Sequence, residues 1–194
     1  MKKIYWALSI CVVIALALAY SPVSPLSIKI INAVKPSVKA QVAYALKYYD
    51  SPNTKSFSDL GDTDCANFVS QTLHARGWHM TKEWKATKEN GKQFYTSAWI
   101  SSTALHDYIQ KHKLGTALSW KRINKVQVGD IVQFDWDNSG DRDHTAIVSA
   151  ILETNGNREL LLAEHSKGAF NFPISALLAI HFGPTKVYFW HLGK

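Results

Sequence analysis

The stretch HTAIVSAILETNGNRELLLAEH, His144 to His165, decides the fold class. His144 to Ile151 and Glu159 to Glu164 are runs rich in Ile, Val and Leu, separated by the turn signal Asn155-Gly156, so they read as two antiparallel strands of a hairpin. Upstream, Ile131-Val132-Gln133-Phe134 reads as another strand, and downstream Val187 to Trp190 as a fourth. Before this region the period is helical. Pro36 suits the first turn of a helix through about Tyr49, with Val38, Val42, Ala45 and Leu46 on one stripe. A second helix starts near Asp64 or Cys65 and stops at Gly77, and a third runs from about Ser97 to Lys113. Helices first and an antiparallel sheet after them make the class α+β, with the amino-terminal helices packed on a small sheet.

The amino terminus predicts the compartment. Lys2 and Lys3 precede an uncharged run from Ile4 to Tyr20, and Ala17-Leu18-Ala19 offers a cleavage site, so residues 1–27 read as a signal peptide or an uncleaved membrane anchor with a short linker. Residues 28–194 then form one domain, long enough for an apolar core without disulfides. The product is expected in the cell envelope or outside the cell. Losing Lys2 and Lys3 from 22 basic residues, against 15 acidic ones, leaves a net charge of about +5. That balance suits attraction to anionic envelope polymers. Basic residues are scattered and no nucleic-acid motif is present, which argues against a nucleic-acid partner.

The chain has two cysteines, and Cys11 is an apolar filler of the leader. Cys65, in GDTDCANFVSQTLHARGW, is thus a lone thiol in an exported domain, a pattern that points to reactivity. Asp64 fits an N-cap, which places Cys65 at the first helical position. There the unsatisfied N–H groups and the helix dipole favour thiolate over thiol. Eight histidines compete as its base. His74, His79, His106 and His112 fall in or beside polar helices and read as solvated surface, and His181 and His191 flank the last strand without a partner motif. His144 opens a strand beside an acidic loop. In an antiparallel hairpin the start of one strand lies beside the end of the next, so His165 is expected next to His144, a base and a group to orient it.

The segments DCANFVSQTL, VGDIVQFDW and DHTAIVSAILETNG…LLLAEHS resemble the putative amidase domain family, exported bacterial members of the papain-like cysteine peptidase fold related to cell-wall endopeptidases and CHAP amidases. The resemblance implies a nucleophilic cysteine at a helix start, a histidine base at a strand start and a polar third residue on the next strand. Carried onto this sequence these are Cys65, His144 and His165. It implies a cysteine amidase or endopeptidase acting on peptidoglycan or another amide-containing polymer. The opposing class is a non-catalytic envelope module that binds peptidoglycan or a protein partner. A monomer is expected, with membrane contact only through an uncleaved leader.

No cofactor or metal is expected. Asp135, Asp137, Ser139, Gly140 and Asp143 match positions of a calcium loop, but Ala146 stands where a bidentate Glu is needed and no helices flank it, so the segment reads as a polar hairpin loop, with a weak calcium site as the alternative. Histidine and cysteine spacings give no zinc motif. Trp78, Trp84, Phe94, Tyr95 and Trp99 could line a polymer groove or serve as core and cover.

Overall fold

A computed structural model describes residues 35–154, 156–165, 168–181 and 183–193. The leader at 1–27 and Asn155 of the expected turn lie outside them. The helices are α1 (Pro36–Tyr48), α2 (Cys65–Ala75), α3 (Ser97–Ile100), α4 (Ser102–Lys111) and α5 (Ile174–Ala179). The strands are β1 (Ala86–Glu89), β2 (Lys92–Tyr95), β3 (Thr116–Leu118), β4 (Ile131–Asp135), β5 (His144–Thr154), β6 (Asn157–Glu164), β7 (Ala169–Pro173) and β8 (Lys186–His191). Strands β1 and β2 form a separate hairpin, and the other six form one antiparallel sheet in the order β3-β8-β4-β5-β6-β7. The class is mixed α+β, with helices leading and the sheet following.

Strand alternation divides the core in two. Ile131, Ile147, Ala163 and Trp190 point to the face that receives Phe68, Val69 and Leu73 of α2 and Leu105 and Ile109 of α4. Val132, Phe134, Ala146, Val148 and Leu162 point to the other face, under Ile174 and Leu177 of α5 and the 3-10 turn Trp120–Lys125. Because the sheet covers α2 on one side and α1, α3 and α4 on the others, every residue from Cys65 to Leu73 is buried. A helix enclosed in this way needs no polar face, and its Asn67, Ser70, Gln71 and Thr72 each find a partner instead.

Several boundaries differ from expectation for local reasons. The third helix is interrupted at Ser101, which adopts φ −117° and ψ 129° and accepts a hydrogen bond from the Ala104 N–H, capping α4. On α1 the buried stripe is Val38, Gln41 and Ala45, whereas Leu46 is 54% exposed. Gln41 is held inside by Arg76, whose Nη1 donates to its Oε1 at 2.8 Å, so a polar residue takes a place the apolar pattern would give to Leu46. Helix α2 ends as anticipated: Gly77 has φ +108°, its N–H bonds the His74 carbonyl and the Trp78 N–H bonds that of Leu73.

Candidate active site

Helix α2 delivers Cys65 from its first residue, α4 delivers Ser102 from its own first residue, and β5 delivers His144 and Thr145. The Cys65 sulfur lies 3.5 Å from the Ser102 hydroxyl. It also hydrogen-bonds the His144 ring and accepts from the Thr145 backbone N–H. Gln133 of β4 ties these contacts together, since its Nε2 donates to the Ser102 carbonyl at 2.7 Å and to the Thr145 hydroxyl at 3.2 Å. Two helix N-termini therefore meet at one sulfur, with the sheet fixing their separation.

The electrostatics favour an ion pair. Burial pushes the Cys65 thiol up, but the hydrogen bond and charge of His144, the Ser102 hydroxyl and the Thr145 N–H outweigh it and leave the thiol below its ordinary value. Burial pushes His144 down, yet its bonds to Cys65 and Glu164 and their charges drive it up to about 9. Between the two values sulfur and ring are both charged.

The group that holds the far side of the ring is Glu164. Its Oε2 lies 2.5 Å from Nε2 of His144, and both side chains are largely buried, at 6% and 12% exposure. That contact leaves Nδ1 for the sulfur. Sequence reading brings Cys65 and His144 together and so does the structure, but His165 is not brought to His144. The reason is strand parity. Ile147 lies opposite Ala163 and Val148 opposite Leu162, so at this end even-numbered residues of β5 share a face with even-numbered residues of β6, whereas beyond a bulge between Val148 and Ala150 the pairing is even with odd, as in Ala150 opposite Leu161. Glu164 falls on the side of His144, and one residue further the chain turns to the side of α2. Counting in twos from the hairpin turn, where Thr154 lies opposite Asn157, leads from His144 to His165; the bulge reverses that parity and brings Glu164 to the ring instead.

His165 sits on that other side. Its Nδ1 lies 2.5 Å from Oδ2 of Asp64, its Nε2 lies 2.6 Å from the Tyr48 carbonyl at the end of α1, and its ring stacks on Phe68 with centroids 4.0 Å apart. Asp64 occupies the N-cap position, as its sequence context suggests, but its side chain makes no capping bond to α2. The carboxylate is engaged elsewhere: Oδ1 accepts from the Leu60 N–H and from Asn67 Nδ2, and Oδ2 from His165. Asn67 in turn accepts from the Trp99 indole N–H at 2.8 Å and donates to the Ser58 carbonyl, and Gln71 accepts from the Tyr44 hydroxyl. Both amides of the DCANFVSQ segment thus bond structurally within the core.

Other side chains fall as follows. His106 is half-buried rather than solvated, between Gln133 and the Arg142 guanidinium; burial and that positive charge hold its pKa below the usual histidine value. Trp84 and Trp99 are fully buried core, whereas Phe94 is 50% exposed. Asp135, Asp137, Asp141 and Asp143 bring carboxylate oxygens within 4.8 Å of one another. The buried Asp135 already accepts from the Ser139 and Gly140 N–H groups, and Asp143 from the Trp136 N–H, which is the bonding of a self-capped polar loop. Among the described residues no helix is long and apolar enough to cross a membrane.

Among curated proteins the chain is similar to the uncharacterized protein YjcM of Bacillus subtilis (strain 168), 34% identical over 145 residues that make up 69% of this chain and 32% of the relative. It is also similar to the uncharacterized protein YhbB of the same organism, 33% identical over 130 residues, 63% of this chain and 39% of the relative. The chain thus spans about a third of the length of these curated relatives. No solved structure matches it. Residues 36–190 match the family model described as Putative amidase domain. With helices, sheet and the Cys65 to His144 contact inside that span, the chain belongs to the putative amidase domain family.

Proposed function

We propose that the protein is an exported cysteine amidase or endopeptidase of papain-like architecture that hydrolyses amide bonds in peptidoglycan. Family membership supports amide hydrolysis. The observation that carries the cysteine mechanism is the contact of the Cys65 sulfur with a ring backed by Glu164. A binding module has no need of an activated thiol. Export rests on the apolar leader and its cleavage site, and the polymer substrate on the compartment and the moderately basic charge.

In this mechanism the Cys65 thiolate adds to the carbonyl carbon of the amide, and the resulting oxyanion is held by the Cys65 backbone N–H at the helix start. His144, protonated in the resting ion pair, passes its proton from Nδ1 to the leaving amine as the C–N bond breaks. The neutral ring then takes a proton from water, whose oxygen attacks the thioester; the C–S bond breaks, the acid is released and the thiolate–imidazolium pair is restored. Glu164 fixes the ring tautomer and stabilises the imidazolium throughout.

The test is digestion of purified peptidoglycan by the wild type and by Cys65→Ala, with new termini identified by mass spectrometry. Every new product should disappear in the variant. Products that persist would move the chemistry away from Cys65.

A further inference from the structure

Asp64 carries a carboxylate one residue before the nucleophile, and an anion in that position opposes a thiolate. It would also fit the first-turn N–H groups of α2, which the thiolate and the oxyanion need. The capping bond does not form. The carboxylate takes the Leu60 N–H, the side-chain Nδ2 of Asn67 in the first turn of α2 and His165 Nδ1, but no backbone N–H of that turn, and the second ring nitrogen of His165 takes the Tyr48 carbonyl. Because both ring nitrogens face acceptors, both carry protons and the ring is an imidazolium. We propose that His165 is a positioning residue whose positive charge neutralises Asp64 and keeps that carboxylate off the backbone N–H groups at the amino terminus of α2, leaving them open for the Cys65 thiolate and the oxyanion.

The surroundings keep the ring charged. Burial would push His165 down, but the Asp64 bond, the Tyr48 carbonyl and the negative charges of Asp64 and Asp59 hold it above its usual value. Asp50, Asp59, Asp62 and Asp64 line the adjoining cavity of about 340 Å3, and His165 is the one cationic residue among its described lining residues. From α2 the ring meets Phe68, which is apolar and fully buried, so no second cation competes from that side. The Asp64 and His165 side chains are 2% and 5% exposed, which keeps solvent from screening the pair.

The inference builds on Cys65 as the nucleophile, but its test reads the sulfur directly and uses no substrate. The rate of Cys65 alkylation by iodoacetamide is measured against pH in the wild type, His165→Gln, Asp64→Asn and the double variant, with near-ultraviolet circular dichroism to confirm folding. His165→Gln leaves a bare carboxylate and should raise the apparent thiolate pKa by about one unit, slowing alkylation about tenfold at pH values below it. Asp64→Asn removes the anion and should leave the pKa unchanged or lower it. The double variant should return to the wild-type profile. General loosening of the site would move all variants the same way, and that result, or an unchanged profile in His165→Gln, overturns the proposal. If His165→Gln does not fold, Asp64→Asn alone still decides, because an upward shift in that variant contradicts the charge argument. Peptidoglycan cleavage that fails or survives in Cys65→Ala leaves these profiles intact, so the two readings fall separately.

Discussion

Oε2 of Glu164 lies 2.5 Å from Nε2 of His144, at the end of the β5–β6 ladder where, past the bulge between Val148 and Ala150, their even-numbered side chains share a face. The carboxylate keeps the ring oriented and charged. In the proposed mechanism Glu164→Gln retains the shape but loses the charge that raises His144, so kcat/KM should fall by about 100-fold, near the low end of what a positioned acid and base supply. The alkaline limb of the pH profile should move to lower pH. Steady-state kinetics on a peptidoglycan fragment measures both, and unchanged kinetics would remove Glu164 from the mechanism.

The sulfur itself should report the ion pair. With Cys65 held below its ordinary value and His144 pushed up to about 9, the doubly charged form fills as pH rises through the thiol value and is lost as pH rises through about 9. Alkylation should therefore be fast well below the free-thiol range near pH 8.5. A sulfur that reacts only above about pH 8.5 would show an unperturbed thiol.

Stability should fall on the alkaline side because of His165. Its folded pKa is raised, so its contribution is fully present below the unfolded value of about 6.5 and is lost as pH rises through the folded value. Thermal midpoints measured from pH 6 upward should decline, and less steeply in His165→Gln. Parallel curves for the two proteins would place the decline elsewhere.

Asn67 binds three neighbours from a fully buried position. Asn67→Ala strands the Trp99 indole N–H and takes a donor from Asp64, at a cost of about 2–3 kcal/mol. Urea unfolding would measure the loss as a lower midpoint with unchanged slope.

Gly77→Ala isolates one backbone term. At φ +108° a side chain is strained, but an added Cβ would meet nothing within 4 Å. The expected cost is about 1 kcal/mol with activity retained, since the site lies at the other end of α2. A loss of several kcal/mol would imply packing at Gly77 that the structure lacks.

Much of this was written in local pattern. Alternating and helical periods place α1, α2 and strands β4, β5, β6 and β8, because burial of one face selects residue type at every second position in a strand and every third or fourth in a helix. Cys65 at a helix start and His144 at a strand start follow from the same reading. What sequence reasoning passed over was short or was decided by distant partners. Strands β3 and β7 have three and five residues and sit at the sheet edges, where few side chains are buried and the pattern is weak. Hairpin β1–β2 has half-exposed faces, though its Asn90-Gly91 turn was a usable signal.

The partners of the polar residues needed the tertiary structure. Ser102 and Gln133 reach the sulfur's neighbourhood from elements 31 residues apart, and Asp64 and His165 are separated by 101 residues. No local propensity encodes such pairings. A carboxylate at an N-cap is drawn to the backbone N–H groups of its own helix unless other donors compete for it, and here α1, α2 and the end of β6 pack so that His165, the Asn67 side chain and the Leu60 N–H hold it instead. The sequence by itself determined that a lone cysteine and a histidine would head a helix and a strand. Only the tertiary structure decided that Glu164, and not His165, would stand behind that histidine, because the bulge between Val148 and Ala150 shifts the pairing by one residue and reverses the facing that the turn sets.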